Sequence, residues 1–352
     1  MDSGNLQARA TQHHHLHKQM LQLNRSRCVA PTSMSKVHLH KVCPQLVRPA
    51  FNGVPLRALH STAADCAIVM FTVIFGKYDD VSRFAASQRV AHDEMPQAAR
   101  VCRFLFTDVP RQSNGLWLNV PIAPLPFPDN AARSAHAFKT IPWLLFPSAE
   151  WVIYLDGKAV VDPTPLQLVS NVSALSGNAP LTMLRHPLID SRRYAHGWLE
   201  EFMKERAAID GRRRQGWKRD LRDLDLALST YCARGDICGL VEVPDSSLMV
   251  WHKPADGCAG RRLMWRVALL QCTWLGEVSY LSQREQLSFP LAVKFLHLER
   301  VVHYMQPAEY MSWWGWRPHT FEGGGSGDCV RIVPARRPGR VNVVHKTCPG
   351  DI

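Results

Sequence analysis

The chain has 352 residues, 46% of them hydrophobic and 20% charged, enough for one large domain with a real core or for two small ones. Its formal charge of +12 lies mostly at the two ends: residues 1–64 hold eight Lys or Arg against the single acid Asp2, and residues 331–352 hold five against Asp351. The middle of the chain is therefore nearly neutral, which excludes nucleic acid as a partner, since that partner requires positive charge on the folded surface.

Residues 1–64 differ in composition from a packed domain. They contain the run His13-His14-His15, scattered basic residues, and no acid between Asp2 and Asp65. This composition is typical of an organelle transit peptide, and equally of a plain disordered extension. We therefore predict a disordered, basic, His-rich N-terminal extension. No run of 18 apolar residues occurs in the chain, so no transmembrane helix is predicted.

Short apolar runs follow the extension, at 67–75, 101–106, 116–122 and 151–155. Helix-compatible stretches at 82–100 and 130–146 alternate with them, a pattern typical of βαβ units and a largely parallel sheet. The segment 121–128 carries four prolines and is predicted to be an extended connection.

The last of these runs leads directly into Asp156-Gly157-Lys158. Asp156 is therefore expected just past the carboxyl end of a buried strand, where open α/β sheets bind their ligands. A carboxylate at that point can ligate a divalent metal ion or accept a hydrogen bond from a substrate hydroxyl. The structural alternative is a turn aspartate that caps the next element. Asp79 and Asp108 stand in similar positions after earlier strands.

The second half of the chain is predicted to be more helical, with helices in 196–234 and 259–275. His186 precedes a proline, which favours extended backbone and a loop at the mouth of the sheet. Glu285 and Gln286 begin an apolar run typical of a helix. Residues 306–352 contain a Trp-rich segment, a Gly-rich linker at 323–327 and a basic tail that we expect to be disordered.

The chain contains ten cysteines, and no two of them form a C-x-x-C pair, so a structural zinc site is not indicated. Cys66 and Cys102 lie in or beside apolar strands, where a free thiol acts as a small hydrophobic group. Cys232 and Cys238 can close a short disulfide in an oxidising compartment, a question that the sequence leaves open.

The ordered set of motifs resembles a plant and bacterial glycosyltransferase-like family that includes the seed-mucilage and turgor-defect proteins of plants. The resemblance runs from about Cys66 to about Tyr304 and is carried by 75–79, 104–108, 139–147, 156–158, 184–187, 243–252 and 283–289. It implies an α/β fold, a GT-A-like (Rossmann-like), mainly parallel sheet flanked by helices. This sheet is expected in a single domain at 65–305, between disordered tails. Plant relatives are expected to be membrane-anchored in the secretory pathway or Golgi, whereas the N-terminal composition also fits an organelle.

The function implied by the resemblance is that of a hexosyltransferase, which moves a sugar from a nucleotide-sugar donor to a glycan or another hydroxyl acceptor. Asp156 and Glu285 are the expected catalytic residues, with Glu285 as general base toward the acceptor. The residues expected to contact donor or acceptor are Gly76, Tyr78, Asp79, Asp108, Arg133, Lys139, Lys158, His186, His252 and Gln286.

Some of these contacts can be specified further. Gly76 permits close approach of backbone to a ligand, Tyr78 suits stacking on the base, and Asp79 or Asp108 suits the base or ribose. Arg133 and Lys139 match positions where related sequences carry basic residues, which suits a donor diphosphate. Each residue also has a structural reading: a turn former for the aspartates, a buried hydrogen-bonded side chain for His186, and a helix N-terminal charge for Glu285.

The expected cofactor is Mn²⁺ or Mg²⁺ at Asp156, because these ions take oxygen ligands and stabilise a departing diphosphate. The usual D-x-D signature is here Asp156-Gly157-Lys158, with lysine in place of the second carboxylate. Either Asp108 or His252 supplies the missing ligand, or the enzyme uses no metal and Lys158 neutralises a phosphate as a point charge.

Two other function classes fit the sequence. The first is a non-catalytic carbohydrate-binding protein of the same fold, which the single carboxylate at 156–158 favours. The second is a ceramide-type lipid amidase, which needs a zinc site built from His, Asp or Glu ligands. The sequence does not predict the oligomeric state.

Overall fold

A computed structural model of the chain describes residues 51, 54–76, 100–109, 117–186, 202–203, 206–207, 243–280, 284–316, 329–334 and 341–346. The predicted extension up to residue 50, the helix predicted at 82–100 and most of the helical region predicted at 196–234 lie outside these residues.

A seven-stranded sheet forms the centre of the domain. Its strands are β1 (Ile68–Ile74), β2 (Val101–Thr107), β3 (Leu118–Pro121), β4 (Trp151–Leu155), β6 (Leu181–Arg185), β7 (Pro244–His252) and β8 (Val302–Met305), in the order β3-β2-β1-β4-β7-β6-β8. All neighbouring pairs are parallel except those of β7, which runs antiparallel to both β4 and β6. The predicted mainly parallel α/β sheet is confirmed, and the strand predicted at 151–155 has the predicted bounds.

Every residue of β1 and β4 is buried, as expected for strands covered on both faces. Four helices and a short turn of helix cover one face: α1 (Leu56–Thr62), α2 (Ala131–Lys139), α3 (Pro142–Leu145), α5 (Cys258–Tyr280) and α6 (Glu285–Phe295). The opposite face is covered by α4 (Pro165–Ser176) and α7 (Pro307–Tyr310). The proline-containing segment between β3 and α2 is not helical, as predicted, but it contains bends and a turn at 128–129 and is not extended throughout. Among the described residues, no helix has the length and apolarity needed to cross a bilayer.

A second, antiparallel sheet has the order β11-β10-β9-β5. Its strands are β5 (Ala159–Val161), β9 (Trp314–Trp316), β10 (Cys329–Pro334) and β11 (Val341–Lys346). The sequence predicted a disordered tail from about residue 325, whereas the structure places two strands there. Since β5 follows Asp156 directly, this sheet flanks the carboxyl end of β4.

The folded domain begins earlier and ends later than the predicted 65–305. Phe51, Val54 and Leu59 are buried in the same core as α2 and α5, and the His60 imidazole lies 2.8 Å from the carbonyl oxygen of Leu144. After residue 305, Trp314 packs in the core on the other face. These flanking segments contain few apolar side chains, but those side chains lie in the core. Composition alone does not predict this burial.

Cys66 and Cys102 form a disulfide across the amino ends of β1 and β2, with their Cα atoms 5.8 Å apart. The prediction of two free thiols is therefore wrong. The physical reason is the register of the two adjacent parallel strands, in which Ile68 pairs with Val101. Cys66 lies just before Ile68 and Cys102 just after Val101, so the two cysteines are within bonding distance. The Cys232–Cys238 question lies outside the described residues.

Candidate functional site

The strands that run parallel end at one edge of the large sheet, which we call the carboxyl edge. Gly76, Asp108, Asp156 and His186 each follow the last residue of such a strand closely, at β1, β2, β4 and β6. Because β7 is antiparallel, it begins at this edge with the Asp245-Ser246-Ser247 segment. Open α/β sheets bind ligands at this edge, so it is the candidate functional site.

Asp156 lies in a tight turn between β4 and β5. Its backbone N–H donates to the carbonyl of Ser247 at 2.8 Å, and its carbonyl accepts from Ala159 N–H at 2.9 Å. One carboxylate oxygen accepts from the Lys158 backbone N–H at 3.4 Å. Its side chain keeps 21% of its surface exposed, so the carboxylate can still be approached from the carboxyl edge.

Behind Asp156 lies a buried charge cluster that consists of His136, Lys139, Asp156, Ser246 and Glu285. The Lys139 ammonium donates to Oε1 of Glu285 at 2.8 Å and lies 3.7 Å from Oδ2 of Asp156. The same Glu285 oxygen accepts from the Ser246 hydroxyl at 2.7 Å, and the other lies 3.3 Å from the His136 imidazole. Four separate elements thus meet at this cluster.

The face of the Tyr154 ring completes the surroundings of Lys139, with the ring centroid 4.9 Å from Nζ. A cation over an aromatic face is attracted by the ring quadrupole. Lys139 has only 2% of its side-chain surface exposed. Its ammonium therefore points into the protein, toward two carboxylates and a ring.

The charges of the cluster shift the pKa values of Glu285, Asp156 and Lys139. Burial alone would raise the pKa of Glu285, but the nearby charges of His136 and Lys139 outweigh it and hold that pKa well below its usual value. Burial acts in the same way on Asp156, where Lys158 and Lys139 outweigh it and lower the pKa. Burial would lower the pKa of Lys139, yet Glu285 and its other partners raise it. All three groups are thus charged at neutral pH.

This geometry changes the roles expected for Lys139 and Glu285. Glu285 is 8% exposed at its side chain, and its Oε1 accepts hydrogen bonds from both Lys139 and Ser246. Its burial and its lowered pKa both weigh against the general-base role. The Lys139 ammonium is buried, so it is not positioned to contact a diphosphate at the surface. The carboxylate of Glu285 at the start of α6 instead anchors the lysine.

The turn after β1 is closed by Asp108. One carboxylate oxygen of Asp108 accepts the Gly76 backbone N–H at 2.8 Å, and the other is buried without a hydrogen-bond partner. Gly76 has φ +68°, and a Cβ there would lie 3.2 Å from the Cβ of Ala131 at the start of α2. Gly76 therefore permits a close approach of this turn to α2, and its expected contact with a ligand stays a prediction. Tyr78 and Asp79 lie outside the described residues.

Arg133 and Gln286 lie along the junction of α2 with α5 and α6. The Arg133 guanidinium donates to the carbonyl of Ser279 at 3.3 Å and lies 5.9 Å from the Phe127 ring centroid. Oε1 of Gln286 is buried without a hydrogen-bond partner. Arg133 thus lies six residues before Lys139 on the same helix, and its hydrogen bond to Ser279 connects it to α5.

The structure contradicts the placement of His252 beside Asp156. His252 pairs with Trp151 at the amino end of β4, so it is five residues, about 16 Å along the strand, from Asp156. Its ring stacks on Trp151 at a centroid distance of 4.1 Å. The error arose because β7 runs antiparallel, which puts its carboxyl end at the opposite edge. His186, in contrast, lies at the carboxyl edge, where its N–H donates to the carbonyl of Val243.

Three members of the site were not predicted: His136, Ser246 and Tyr154. His136 lies three residues before Lys139 on α2, and this i,i+3 spacing places both on one helical face. Ser246 lies in the Asp-Ser-Ser segment, where its hydroxyl was a visible but nonspecific signal. Tyr154 lies within the apolar run of β4, and the sequence pattern did not distinguish it from its neighbours.

Comparison with known proteins agrees with the motif order. Residues 52–310 match the family described as TOD1/MUCI70, glycosyltransferase-like domain. The chain belongs to this family. Its matched segment includes α1, every residue of the buried charge cluster and the whole large sheet. The family predicted from the motifs is therefore confirmed. No curated protein sequence matches the chain.

Two solved structures are remotely similar to this TOD1/MUCI70 member. An apo structure of the WbbM bifunctional glycosyltransferase shares 10% identity, with a TM-score of 0.36 over 69% of this chain and 39% of that one. The apo form of mouse xyloside xylosyltransferase 1 shares 9% identity, with a TM-score of 0.38 over 69% of this chain and 86% of that one. This chain thus spans well under half of the first structure.

The Mn²⁺ or Mg²⁺ ion expected at Asp156 of this TOD1/MUCI70 member stays a prediction. No group of three or more His, Cys, Asp or Glu in the described part of the chain is arranged to hold a metal ion. The Asp156 carboxylate faces the Lys139 ammonium with one oxygen and the Lys158 N–H with the other. Asp108, the other proposed ligand, lies two strands away in the sheet order and binds Gly76.

Proposed function

We propose that this chain is a glycosyltransferase that moves a hexose from a nucleotide-sugar donor to a hydroxyl of a glycan or another acceptor. The observation that carries the proposal is the position of Asp156. Its partly exposed carboxylate lies at the carboxyl end of a central buried strand and is held in place by a buried lysine. Lys139, Ser246 and Glu285 are buried, so Asp156 is the carboxylate of the cluster that a ligand at the edge can reach.

Two groups at this edge suit the chemistry of the donor. The Asp156 carboxylate can accept hydrogen bonds from ribose or sugar hydroxyls. Lys158, two residues later and partly exposed, carries a positive charge that suits the diphosphate released when the anomeric carbon is attacked by the acceptor hydroxyl. Family membership supports this proposal, since the matched domain is described as glycosyltransferase-like.

A screen of the purified chain against UDP- and GDP-sugars tests the proposal. A ligand that binds the native state raises the thermal midpoint according to its concentration over its dissociation constant. We expect at least one nucleotide sugar to raise the midpoint and to be hydrolysed slowly to free sugar and nucleotide. A full panel without any shift or hydrolysis would reject the proposal.

A non-catalytic carbohydrate-binding role is the second candidate. Both oxygens of Asp156 already have partners within the protein, an arrangement that also suits a structural carboxylate. The same screen separates the two functions, because a binding protein would respond to glycans and not to nucleotide sugars. The lipid amidase reading needs a zinc site, and the described residues offer no cluster of ligands for one.

Disulfides bear on the compartment in which this function operates. Besides Cys66–Cys102, Cys258 and Cys272 in α5 are disulfide-bonded. These two lie fourteen residues apart on one helix, about 21 Å, too far to bond each other. Each therefore pairs with another cysteine. The four disulfide-bonded cysteines favour an oxidising compartment such as the secretory pathway, and iodoacetamide added to the non-reduced protein should alkylate none of them.

A further inference from the structure

We propose that Lys139 supplies, from inside the protein, the positive charge that a divalent metal ion would supply beside Asp156, so that the donor binds at Asp156 without a metal ion there. This inference rests on the proposed function for its use of the donor. It concerns a residue that acts through Asp156, which makes Lys139 a positioning residue.

The first step is the location of the ammonium. Nζ of Lys139 lies 3.7 Å from Oδ2 of Asp156 on the protein side, and 2.8 Å from Oε1 of Glu285. A Mg²⁺ ion bound to Oδ2 would need a position about 2.1 Å from that oxygen. The ammonium thus places a fixed positive charge 3.7 Å from Oδ2, and this charge repels a second cation bound to the same oxygen.

The second step is that the lysine cannot easily move away. It ends α2, whose N-terminus is capped by the Asn130 side chain, which accepts the Arg133 N–H at 2.9 Å. Its ammonium is bound by Glu285 and faces the Tyr154 ring. Glu285 is itself fixed by the Ser246 hydroxyl at 2.7 Å. A buried ammonium with these partners would leave a buried carboxylate unpaired if it swung out.

The third step is the balance of charge. Lys139 and Lys158 carry two positive charges, and Asp156 and Glu285 carry two negative ones. With a neutral His136 these four charges sum to zero, and a protonated His136, 3.3 Å from Glu285, makes the sum positive. In neither case does an excess of negative charge attract a divalent ion to this point. The lysine at position 158, where a D-x-D signature would have its second carboxylate, contributes to the same balance.

The test measures metal binding directly, without a nucleotide sugar. Tb³⁺ replaces Ca²⁺-type ions at oxygen sites and emits when a nearby aromatic ring is excited, and the Tyr154 ring lies 4.9 Å from the position of Nζ. Wild type should show no sensitised emission that depends on Asp156. Lys139→Ala opens the space between the two carboxylates and should bind Tb³⁺ at least about tenfold more tightly than wild type. Adding Asp156→Asn to that variant should abolish the gain.

A second measurement uses only variants that keep the lysine, in case Lys139→Ala does not fold. If wild type binds Tb³⁺ and Asp156→Asn removes that binding, the inference is overturned, since a metal ion then sits at Asp156 despite Lys139. The inference is supported if two results are obtained. Wild type and Asp156→Asn should give the same Tb³⁺ emission. Addition of about 1 mM EDTA, which removes divalent ions, should leave any donor-induced rise in the thermal midpoint unchanged.

The experiments distinguish failure of this inference from failure of the proposed function. A chain that binds no nucleotide sugar would reject the glycosyltransferase proposal, while the Tb³⁺ comparison would still report whether Lys139 keeps a cation from Asp156. A chain that binds its donor only with Mn²⁺, and loses that dependence in Asp156→Asn, would uphold the function and reject the inference.

Discussion

Nζ of Lys139 lies 2.8 Å from Oε1 of Glu285, although the two residues are 146 positions apart in the chain. Lys139 ends α2 and Glu285 begins α6, so the pair fixes the two helices against each other at the carboxyl edge. Both side chains are almost fully buried. Breaking a buried pair leaves one charge without a partner, which is much more unfavourable than losing an exposed pair.

Glu285→Gln should lower the free energy of unfolding by about 3 kcal/mol, because Lys139 then has only Asp156 as a charged partner. The matched control is Glu299→Gln, which removes the partner of Lys294 in an ion pair at 3.8 Å whose side chains are 35% and 53% exposed. That change should lower the free energy by less than about 1 kcal/mol. Urea unfolding of both variants measures the difference, and equal effects would contradict the buried role of Glu285.

The acid dependence of stability should follow from the same cluster. The folded-state pKa values of Glu285 and Asp156 are lowered, so their contribution is present above their unfolded pKa values, about 4.3 and 3.9, and is lost as pH falls below them. Lys139 has a raised pKa, so its contribution is present below about 10.4 and is lost only at higher pH. The contribution of these three groups to stability should therefore be nearly level between these limits.

Urea unfolding at several pH values between about 5 and 3 checks this expectation. Wild type should lose stability more steeply than Glu285→Gln by up to about 1.4 kcal/mol per pH unit, the slope for one proton. Identical slopes would show that Glu285 is not ionised with a lowered pKa in the folded protein.

Gly76 and Gly177 offer a matched pair for the turn at the carboxyl edge. Both have positive φ, +68° and +59°, but a Cβ at Gly76 would lie 3.2 Å from Ala131 whereas one at Gly177 meets nothing within 4 Å. Gly177→Ala should cost about 1 kcal/mol of backbone strain. Gly76→Ala should cost more, because it also presses on the start of α2. A smaller effect at Gly76 than at Gly177 would contradict the packing described here.

The Cys66–Cys102 disulfide joins two strands of the sheet across 36 residues of chain. A loop of this length predicts that the disulfide stabilises the fold by about 4 kcal/mol through the entropy of the unfolded chain. The double variant Cys66→Ala/Cys102→Ala should lose about that amount in urea unfolding under non-reducing conditions. A loss below about 1 kcal/mol would indicate that the strands are held in register without it.

Sequence patterns predicted the parts of this fold that depend on local signals. Strand β4 was predicted because burial on both faces of the sheet requires a continuous apolar run. The Asp156 turn was predicted because it follows directly after that run. The direction of β7 was not predicted, because strand direction depends on long-range pairing, and His252 was misplaced as a result. The Lys139–Glu285 pair was likewise hidden, since each residue alone has the pattern of an exposed charge.

The central claim is that the donor binds at the carboxyl edge of the sheet, beside the Asp156 carboxylate. The rate of donor hydrolysis by Asp156→Asn tests this claim most directly. The substitution removes the charge with little change in volume, and we expect the rate with the nucleotide sugar found by screening to fall at least about a hundredfold, on the order of 3 kcal/mol in the barrier. His252→Ala, at the opposite edge, should hydrolyse the donor at close to the wild-type rate. An Asp156→Asn rate within about threefold of wild type, or an equal loss in His252→Ala, would contradict a donor site at the carboxyl edge.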